Sequence, residues 1–289
     1  MSRIIYVNGR YLPHRAAVIH VEDRGLQFAD GVYEVFPVFG GRIQNLSQHL
    51  ARLSNSLAAL RIAWPVTRAV LPMLLEQIRQ RNRIADGLIY LQITRGVAPR
   101  DHAFPRIPVS PTLIISGRHI DMGRRAEQAA RGVHLVSMPD QRWARRDIKS
   151  VSLLANMLAK QTAVESGAFE ALMLDQDGYI TEGAASTFWI VDRDGTLVTR
   201  PLSEDILPGV TRQRVLNLAR EKGIRVTERK IHLDELAQAR EAFLTSATLF
   251  VMPVSQIDAV VIGNGGPGVV TDTLRTHYIE NLGSVGGGG

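Results

Sequence analysis

Lysine is scarce in this chain. Lys149, Lys160, Lys222 and Lys230 are the only four, and arginine supplies the other 30 of the 34 basic residues. A lysine amine can do what a guanidinium cannot: it can shed a proton and condense with a carbonyl as a Schiff base. Lys222 and Lys230 sit in Arg-Glu-Lys-Gly and Glu-Arg-Lys, the composition of a solvated face. Lys160, in Leu-Ala-Lys-Gln on an expected helix, is read as snorkelling to the surface. Lys149 differs from these three. It lies in Arg145-Arg146-Asp147-Ile148-Lys149-Ser150, where apolar positions begin and just before a helix expected over 152–165. A lone lysine is ordinarily a surface charge, and only the company Lys149 keeps argues otherwise.

That company includes two anion-binding candidates. Leu207-Pro208-Gly209-Val210-Thr211 opens a helix, so backbone N–H groups, a hydroxyl and the helix dipole all favour negative charge there. Thr245-Ser246-Ala247-Thr248 is a second hydroxyl-rich turn after a strand. Thr181-Glu182-Gly183 places one carboxylate among small residues, where it can hold a protonated ring nitrogen. Arg100 and His102, two apart in a Pro-rich loop, point the same way if extended, and a guanidinium fork beside an imidazole suits a carboxylate. Each has a plainer reading: Thr211 capping its helix, a simple turn at 245–248, Glu182 as a turn residue in water, Arg100 as a solvated loop arginine. Taken together they match what pyridoxal phosphate chemistry requires: an imine-forming lysine, a phosphate site, a partner for the ring nitrogen and a hold on the substrate carboxylate.

Composition bounds the alternatives. A chain of 289 residues permits one large domain or two ordinary ones, and 45% hydrophobic with 21% charged residues reads as globular. No apolar run reaches 18 residues, and the first twenty lack the apolar core of a signal peptide. Without cysteine there is no disulfide, thiolate metal site or thiol nucleophile, and a cytoplasmic protein is expected. The net charge of +6 raises nucleic-acid binding as a non-enzyme reading. The basic clusters, Arg142 to Arg146 and Arg79 to Arg83, are broken by other residues, however, and no nucleic-acid-binding signature is visible. An anionic cofactor or substrate explains positive charge equally well.

The elements that must position these residues alternate between hairpins and helices. Ile4 to Val7, Asn8-Gly9 and Arg10 to Leu12 read as a hairpin. Ala17 to Val21 is expected as a short strand, and Asp30 to Phe39 as a long one. Leu46, Leu50, Leu53, Leu57 and Leu60 form one helical stripe, with His49 and Arg52 beside or off it. A second helix is expected over 67–81, kinked early by Pro72. Strands follow at 88–94 and 112–116. Asp121 to Arg131, polar and charged, is the expected interdomain linker. Beyond it lie a strand at 133–137, the Lys149 segment, short strands, a helix from Leu207 to about Lys222, and a last helix over 271–281. No βαβ period emerges, so the fold class is α+β in two domains, 1–120 and 132–282, with a flexible Gly-rich tail at 283–289.

These motifs resemble the fold-type IV pyridoxal phosphate enzymes, most closely the D-amino-acid aminotransferases, nearly end to end from Tyr6 to about Val261. The resemblance rests on Glu22-Asp23-Arg24-Gly25 with Phe28-Ala29-Asp30-Gly31-Val32-Tyr33-Glu34-Val35, on Thr94-Arg95-Gly96 through Arg100-Asp101-His102, on Arg146-Asp147-Ile148-Lys149-Ser150, on Thr181-Glu182-Gly183 and on Gly209-Val210-Thr211-Arg212, all in order. It implies Lys149 as Schiff-base lysine and proton shuttle, and Glu182 as ring-nitrogen partner. It implies Arg52, the Val210 backbone, the Thr211 hydroxyl, Ser246 and the Ala247 backbone around the phosphate. Tyr33, Arg100 and His102 resemble the substrate-carboxylate trap, the Arg and His coming from across a homodimer interface. Three positions depart from the family: Thr187 stands where Asn is usual, Ala247 where threonine is usual, and Asp101 sets an acid inside the trap, which would weaken carboxylate binding if it faced the pocket. The expected activity is exchange of an amino group between D-amino acids and 2-oxoglutarate or pyruvate. The alternatives are a branched-chain L-amino-acid or (R)-amine aminotransferase and an aminodeoxychorismate lyase. Neither a metal, nor nucleic acid, nor a membrane is expected.

Overall fold

Asn8 and Gly9 both adopt positive φ, 43° and 90°, and close the first hairpin between β1 (Ile4–Val7) and β2 (Arg10–Pro13). The computed structural model describes residues 3–284 and divides into two units, 1–121 with 148–153, and 122–147 with 154–289. After the hairpin, the first unit continues through α1 (Arg24–Phe28), β3 (Gly31–Phe39), β4 (Arg42–Ile43), α2 (Leu46–Leu60), α3 (Leu71–Arg81), β5 (Gly87–Thr94) and β6 (Thr112–His119). Among the described residues its sheet runs β2-β1-β6-β5-β3-β4, antiparallel throughout. The leucine stripe of α2 packs as its spacing predicts: Leu50, Leu53 and Leu57 are buried against Val32, Phe36, Leu71, Leu75 and Ile89. Each such burial contributes about 2 kcal/mol.

Two local expectations fail in this unit. Residues 17–20 form no strand and 21–22 lie in a turn. Pro72 does not kink a helix. Residues 68–70 form a 3-10 turn and Pro72 sits in the first turn of α3, where its missing N–H would have had no intrahelical partner anyway. The Lys149 segment is bound to β3 by the Tyr33 N–H, which donates to the Lys149 carbonyl at 3.0 Å, and by the Val151 N–H, which donates to the Gly31 carbonyl at 3.0 Å.

The second unit comprises α4 (Met122–Arg131), β7 (Val133–Pro139), α5 (Leu154–Glu165), β8 (Glu170–Leu174), β9 (Ile180–Gly183), β10 (Thr187–Val191), β11 (Leu197–Thr199), α6 (Val210–Glu221), β12 (Val226–Glu228), β13 (Glu241–Ser246), β14 (Phe250–Ile257), β15 (Val260–Val261) and α7 (Val269–Ser284). Its sheet runs β12-β11-β10-β13-β14-β7-β8-β9 with β15 on β14, and mixes parallel with antiparallel pairs. Together with the antiparallel first sheet this is the α+β class. Residues 121–131, read from their charge as a linker, are helical from Met122 to Arg131. Helix α5 begins at Leu154, two residues later than expected. Of the tail expected at 283–289, Gly283 and Ser284 close α7 and 285–289 lie outside the described residues. Among the described residues no helix is long and apolar enough to cross a membrane.

Helix α7 carries its N-terminal cap from another strand. The buried Glu241 carboxylate accepts from the Val270 N–H at 3.0 Å, the Thr271 N–H at 2.7 Å and the Thr271 hydroxyl at 2.6 Å. A charge at a helix N-terminus is doubly favourable, through orphan donors and the dipole. Glu241→Ala strands the buried Thr271 N–H and hydroxyl and the half-buried Val270 N–H, and is expected to cost about 2 kcal/mol, read as a lower urea midpoint at pH 7. A change below about 0.5 kcal/mol would show that solvent replaces the cap.

Candidate active site

The candidate residues fall into two groups, one in each unit. In the first unit Lys149 is half-buried, with its main chain fixed on both sides. Its carbonyl accepts from Tyr33, and its N–H donates to the Ser56 hydroxyl at 3.2 Å. The side chain then reaches back to β3, where Nζ meets the Tyr33 hydroxyl at 3.3 Å and lies 4.4 Å from the Tyr33 ring centroid. Tyr33 is itself stacked on Tyr90, ring centroids 5.6 Å apart, and the Tyr90 hydroxyl donates to Gln92 at 2.7 Å. Burial, reinforced by the neighbouring Tyr33, pushes the Tyr90 phenol up to about 12. Tyr90 therefore stays neutral while Tyr33 faces the amine. The strand period of two brings Tyr33 and Val35 to one face of β3 and Glu34 to the other.

On that other face lies a cluster of charge that the sequence reading underestimated. Glu34 is fully buried; Arg52 and His49 are nearly so. Arg52 donates from Nε to one Glu34 oxygen at 2.6 Å and from Nη2 to the other at 3.0 Å, while His49 Nδ1 lies 2.8 Å from the carboxylate. Burial would raise the Glu34 carboxyl, but the Arg52 charge and the hydrogen bonds from His49 and Arg52 outweigh it and hold the group at about 2. Burial lowers His49, whose Nε2 is buried without a hydrogen-bond partner among the described residues. Arg52, placed beside or off the helical stripe, therefore points inward with two donors committed to Glu34.

Arg100 and His102 are exposed and share one ring: the Arg100 guanidinium carbon lies 4.7 Å from the Phe28 centroid, and the His102 ring 5.4 Å from it. The Asp101 carboxylate between them turns along its own loop and accepts from the Ala103 N–H at 3.1 Å. The acid expected inside the trap is a turn-forming aspartate.

In the second unit Glu182 is no turn residue in water. It is a buried position of β9. Arg142 Nη1 donates to its Oε1, and the Leu207 N–H lies 3.3 Å from each carboxylate oxygen. Arg142 is in turn held by Asp140 through Nε at 2.9 Å and Nη2 at 2.7 Å, and Thr181 donates to Asp140 at 2.7 Å. The two carboxylates raise Arg142 above its ordinary range against the effect of burial, and Asp140 is lowered by Arg142. Leu207 leads to Gly209, the N-cap of α6, which carries no side-chain cap. A Cβ at Gly209 would sit 3.0 Å from the Thr187 hydroxyl, so Thr187 lines the same N-terminus that presents Val210 and the buried Thr211. Ser246 ends β13, and its Oγ accepts from the Leu249 N–H at 3.2 Å across the turn holding Ala247.

Sequence reasoning overlooked Asp140, Arg142, His49 and Tyr90 as supports. Arg142 was visible only as part of the Arg142 to Arg146 basic run. Each arginine of that run is paired with acid: Arg142 with Asp140 and Glu182, Arg145 with Asp147, Arg146 with Asp205. The run is an ion-pair network, which leaves it little charge to offer a phosphate backbone.

These groups suit pyridoxal 5'-phosphate. The uncapped N-terminus of α6 has N–H groups and a hydroxyl for a phosphate, Glu182 is a buried carboxylate for a ring nitrogen, and Lys149 supplies an amine. The buried His49 Nε2 and Ser186 Oγ are without hydrogen-bond partners among the described residues, as polar atoms that await a ligand are. The family profile for class IV amino-transferases matches residues 31–257. The D-alanine aminotransferase of Bacillus licheniformis is 38% identical over 278 residues, 96% of each chain, and that of Listeria innocua is 36% identical over 280 residues, again 96% of each. Among solved structures, the branched-chain amino acid aminotransferase of Escherichia coli superposes with a TM-score of 0.91 at 25% identity, covering 98% of this chain and 95% of its own. A second branched-chain amino acid aminotransferase, solved with pyridoxamine 5'-phosphate, gives 0.89 at 26% identity, covering 98% and 94%.

Proposed function

Because this chain belongs to the class IV amino-transferases, we propose that it moves the amino group of D-amino acids to a 2-oxo acid, 2-oxoglutarate or pyruvate, with pyridoxal 5'-phosphate as cofactor. The observation that carries the reading is the amine of Lys149 held 3.3 Å from the Tyr33 hydroxyl, on a backbone fixed from both sides. The D-alanine aminotransferase relatives supply the choice of D-amino acids over the branched-chain substrates named for the structural neighbours.

When bound, the cofactor supplies an aldehyde for covalent attachment and a ring that accepts the electron pair left at the substrate Cα. The chain's residues do the rest. Lys149 Nζ would hold the cofactor covalently and, as a free amine, would take the proton from the substrate Cα and deliver it to the carbon that first bore the aldehyde, the shift that moves the amino group. The Tyr33 hydroxyl orients Nζ for this transfer. Glu182, steadied by Arg142 and the Leu207 N–H, keeps a proton on the ring nitrogen. The Val210 and Ala247 N–H groups, the Thr211 and Ser246 hydroxyls and Arg52 hold the phosphate. Arg100 and His102, with Tyr33, bind the substrate carboxylate, and in this reading a second copy of the chain contributes the Arg and His, making the working unit a homodimer. A cytoplasmic location fits the substrates.

Half-reaction spectra test the assignment. D-alanine is expected to bleach the cofactor's visible band, and L-leucine and a chiral (R)-amine to do so at least about 100-fold more slowly, a discrimination of about 3 kcal/mol. Faster bleaching by L-leucine would favour the branched-chain reading. Release of pyruvate from aminodeoxychorismate without an amino acceptor would favour the lyase.

A further inference from the structure

Arg100 and His102 stand on an exposed loop between β5 and β6 that has little regular structure, yet a carboxylate trap works only if its donors wait in place. A free arginine side chain loses considerable rotamer freedom when it binds. We propose that Phe28 is the positioning residue that supplies this order, an aromatic platform on which the trap is assembled before substrate arrives. The proposal rests on the reading of Arg100 and His102 as the carboxylate trap.

Three cationic or potentially cationic groups converge on the Phe28 ring. Arg24 and Arg100 each place their guanidinium carbon 4.7 Å from its centroid, and His102 tilts against it at 54°. The negative face of an aromatic ring attracts cations and so can hold like charges that would otherwise repel. Arg24 also ties the loop directly, donating from Nη1 to the Asp101 carbonyl at 2.6 Å. With the Asp101 side chain turned onto Ala103, the backbone between the two trap residues is held from two directions.

The ring itself is rigidly mounted. It is the last residue of the short helix α1, whose N-cap Asp23 is fully buried and accepts from the Gly25 N–H and from the Thr94 and Thr112 hydroxyls. Just beyond it Ala29 turns into the left-handed region at φ 55°, and Asp30 is clamped by Arg24 and Arg95. Gly96 completes the mount: at φ 104°, any Cβ there would lie 2.1 Å from the Ser110 carbonyl oxygen, so the two ends of the loop touch only because the residue is glycine. Platform and loop thus share one frame.

The test uses the cofactor-loaded enzyme in single half-reactions with D-alanine. Phe28→Leu is expected to raise the apparent Kd about tenfold, as loss of cation–π order on one or two groups would. The limiting rate should stay within about twofold, with the cofactor spectrum unchanged. Phe28→Tyr, which keeps the ring face, restores the Kd. Arg100→Ala raises it as well, and Phe28→Leu/Arg100→Ala is weaker than Arg100→Ala alone by less than the full Phe28→Leu factor, since only His102 still depends on the ring. An unchanged Kd in Phe28→Leu beside a raised one in Arg100→Ala, or penalties that multiply in the double variant, overturns the platform while leaving the trap. An unchanged Kd in Arg100→Ala removes the trap reading first, and the platform with it. Phe28→Met stands in should Phe28→Leu not fold.

Discussion

Replacing Lys149 by alanine is expected to lower turnover with D-alanine by at least about 10⁴-fold while leaving a folded protein. The separation follows from how the residue is built in. Beside the buried Ile148 side chain, the segment is fixed by its main chain: the carbonyl accepts from Tyr33, the N–H donates to Ser56, and Val151 donates to Gly31. Alanine keeps all three. Only the amine goes, and its side-chain contact is with Tyr33. The phosphate and ring-nitrogen groups on α6 and β9 are untouched, so the variant should still bind cofactor noncovalently. Borohydride treatment followed by peptide mapping should label Lys149 in the parent and nothing in the variant. Full turnover by Lys149→Ala, or a label on Lys160, Lys222 or Lys230, would end the assignment. Those three have other surroundings: Lys222 and Lys230 are exposed, and Lys160 donates to the Phe169 carbonyl.

Which residues were legible in the sequence depended on whether their chemistry is local. The Asn8-Gly9 hairpin and the leucine stripe of α2 are dictated by neighbours along the chain, and both are found where expected. The α4 helix was not legible, because a polar, charged run with a single buried residue, Ala129, looks like a linker unless its amphipathic period is weighed. Glu182 was found as a carboxylate among small residues. Its setting was not, since the groups that define it, the Leu207 N–H and Arg142, lie 25 and 40 positions away in sequence. Arg142 shows the ambiguity most plainly: closely spaced arginines read as a basic patch until each partner is known. Arg52 was read as a phosphate ligand beside or off the α2 stripe. Its ion-pair partner was not legible, since the buried Glu34 that gives the guanidinium a counter-charge lies 18 positions earlier, on β3.

That buried pair leads to the second large effect. Arg52→Met is expected to destabilise the cofactor-free protein by about 3–5 kcal/mol at pH 7, since it leaves the Glu34 charge buried with only His49 beside it. The double variant Glu34→Gln/Arg52→Met removes both charges and should recover most of the loss. The pH dependence has a definite sign. Glu34 is depressed from 4.5 to about 2 in the folded protein, a difference worth on the order of 3 kcal/mol. A depressed carboxyl contributes stability that is fully present above pH 4.5 and is lost as the pH falls toward 2. In Arg52→Met the balance inverts. Burial, the largest influence on Glu34, is no longer outweighed, the folded carboxyl rises above its ordinary value, and acid relieves the strain by protonating it. Acid also charges His49, which then replaces part of the lost counter-charge. The gap between parent and Arg52→Met should therefore narrow steadily from pH 7 to pH 4 in urea titrations. Using the cofactor-free protein separates this from phosphate binding: a loss below about 1 kcal/mol, or a gap that widens in acid, would mean that the Arg52–Glu34 pair does not stabilise the fold.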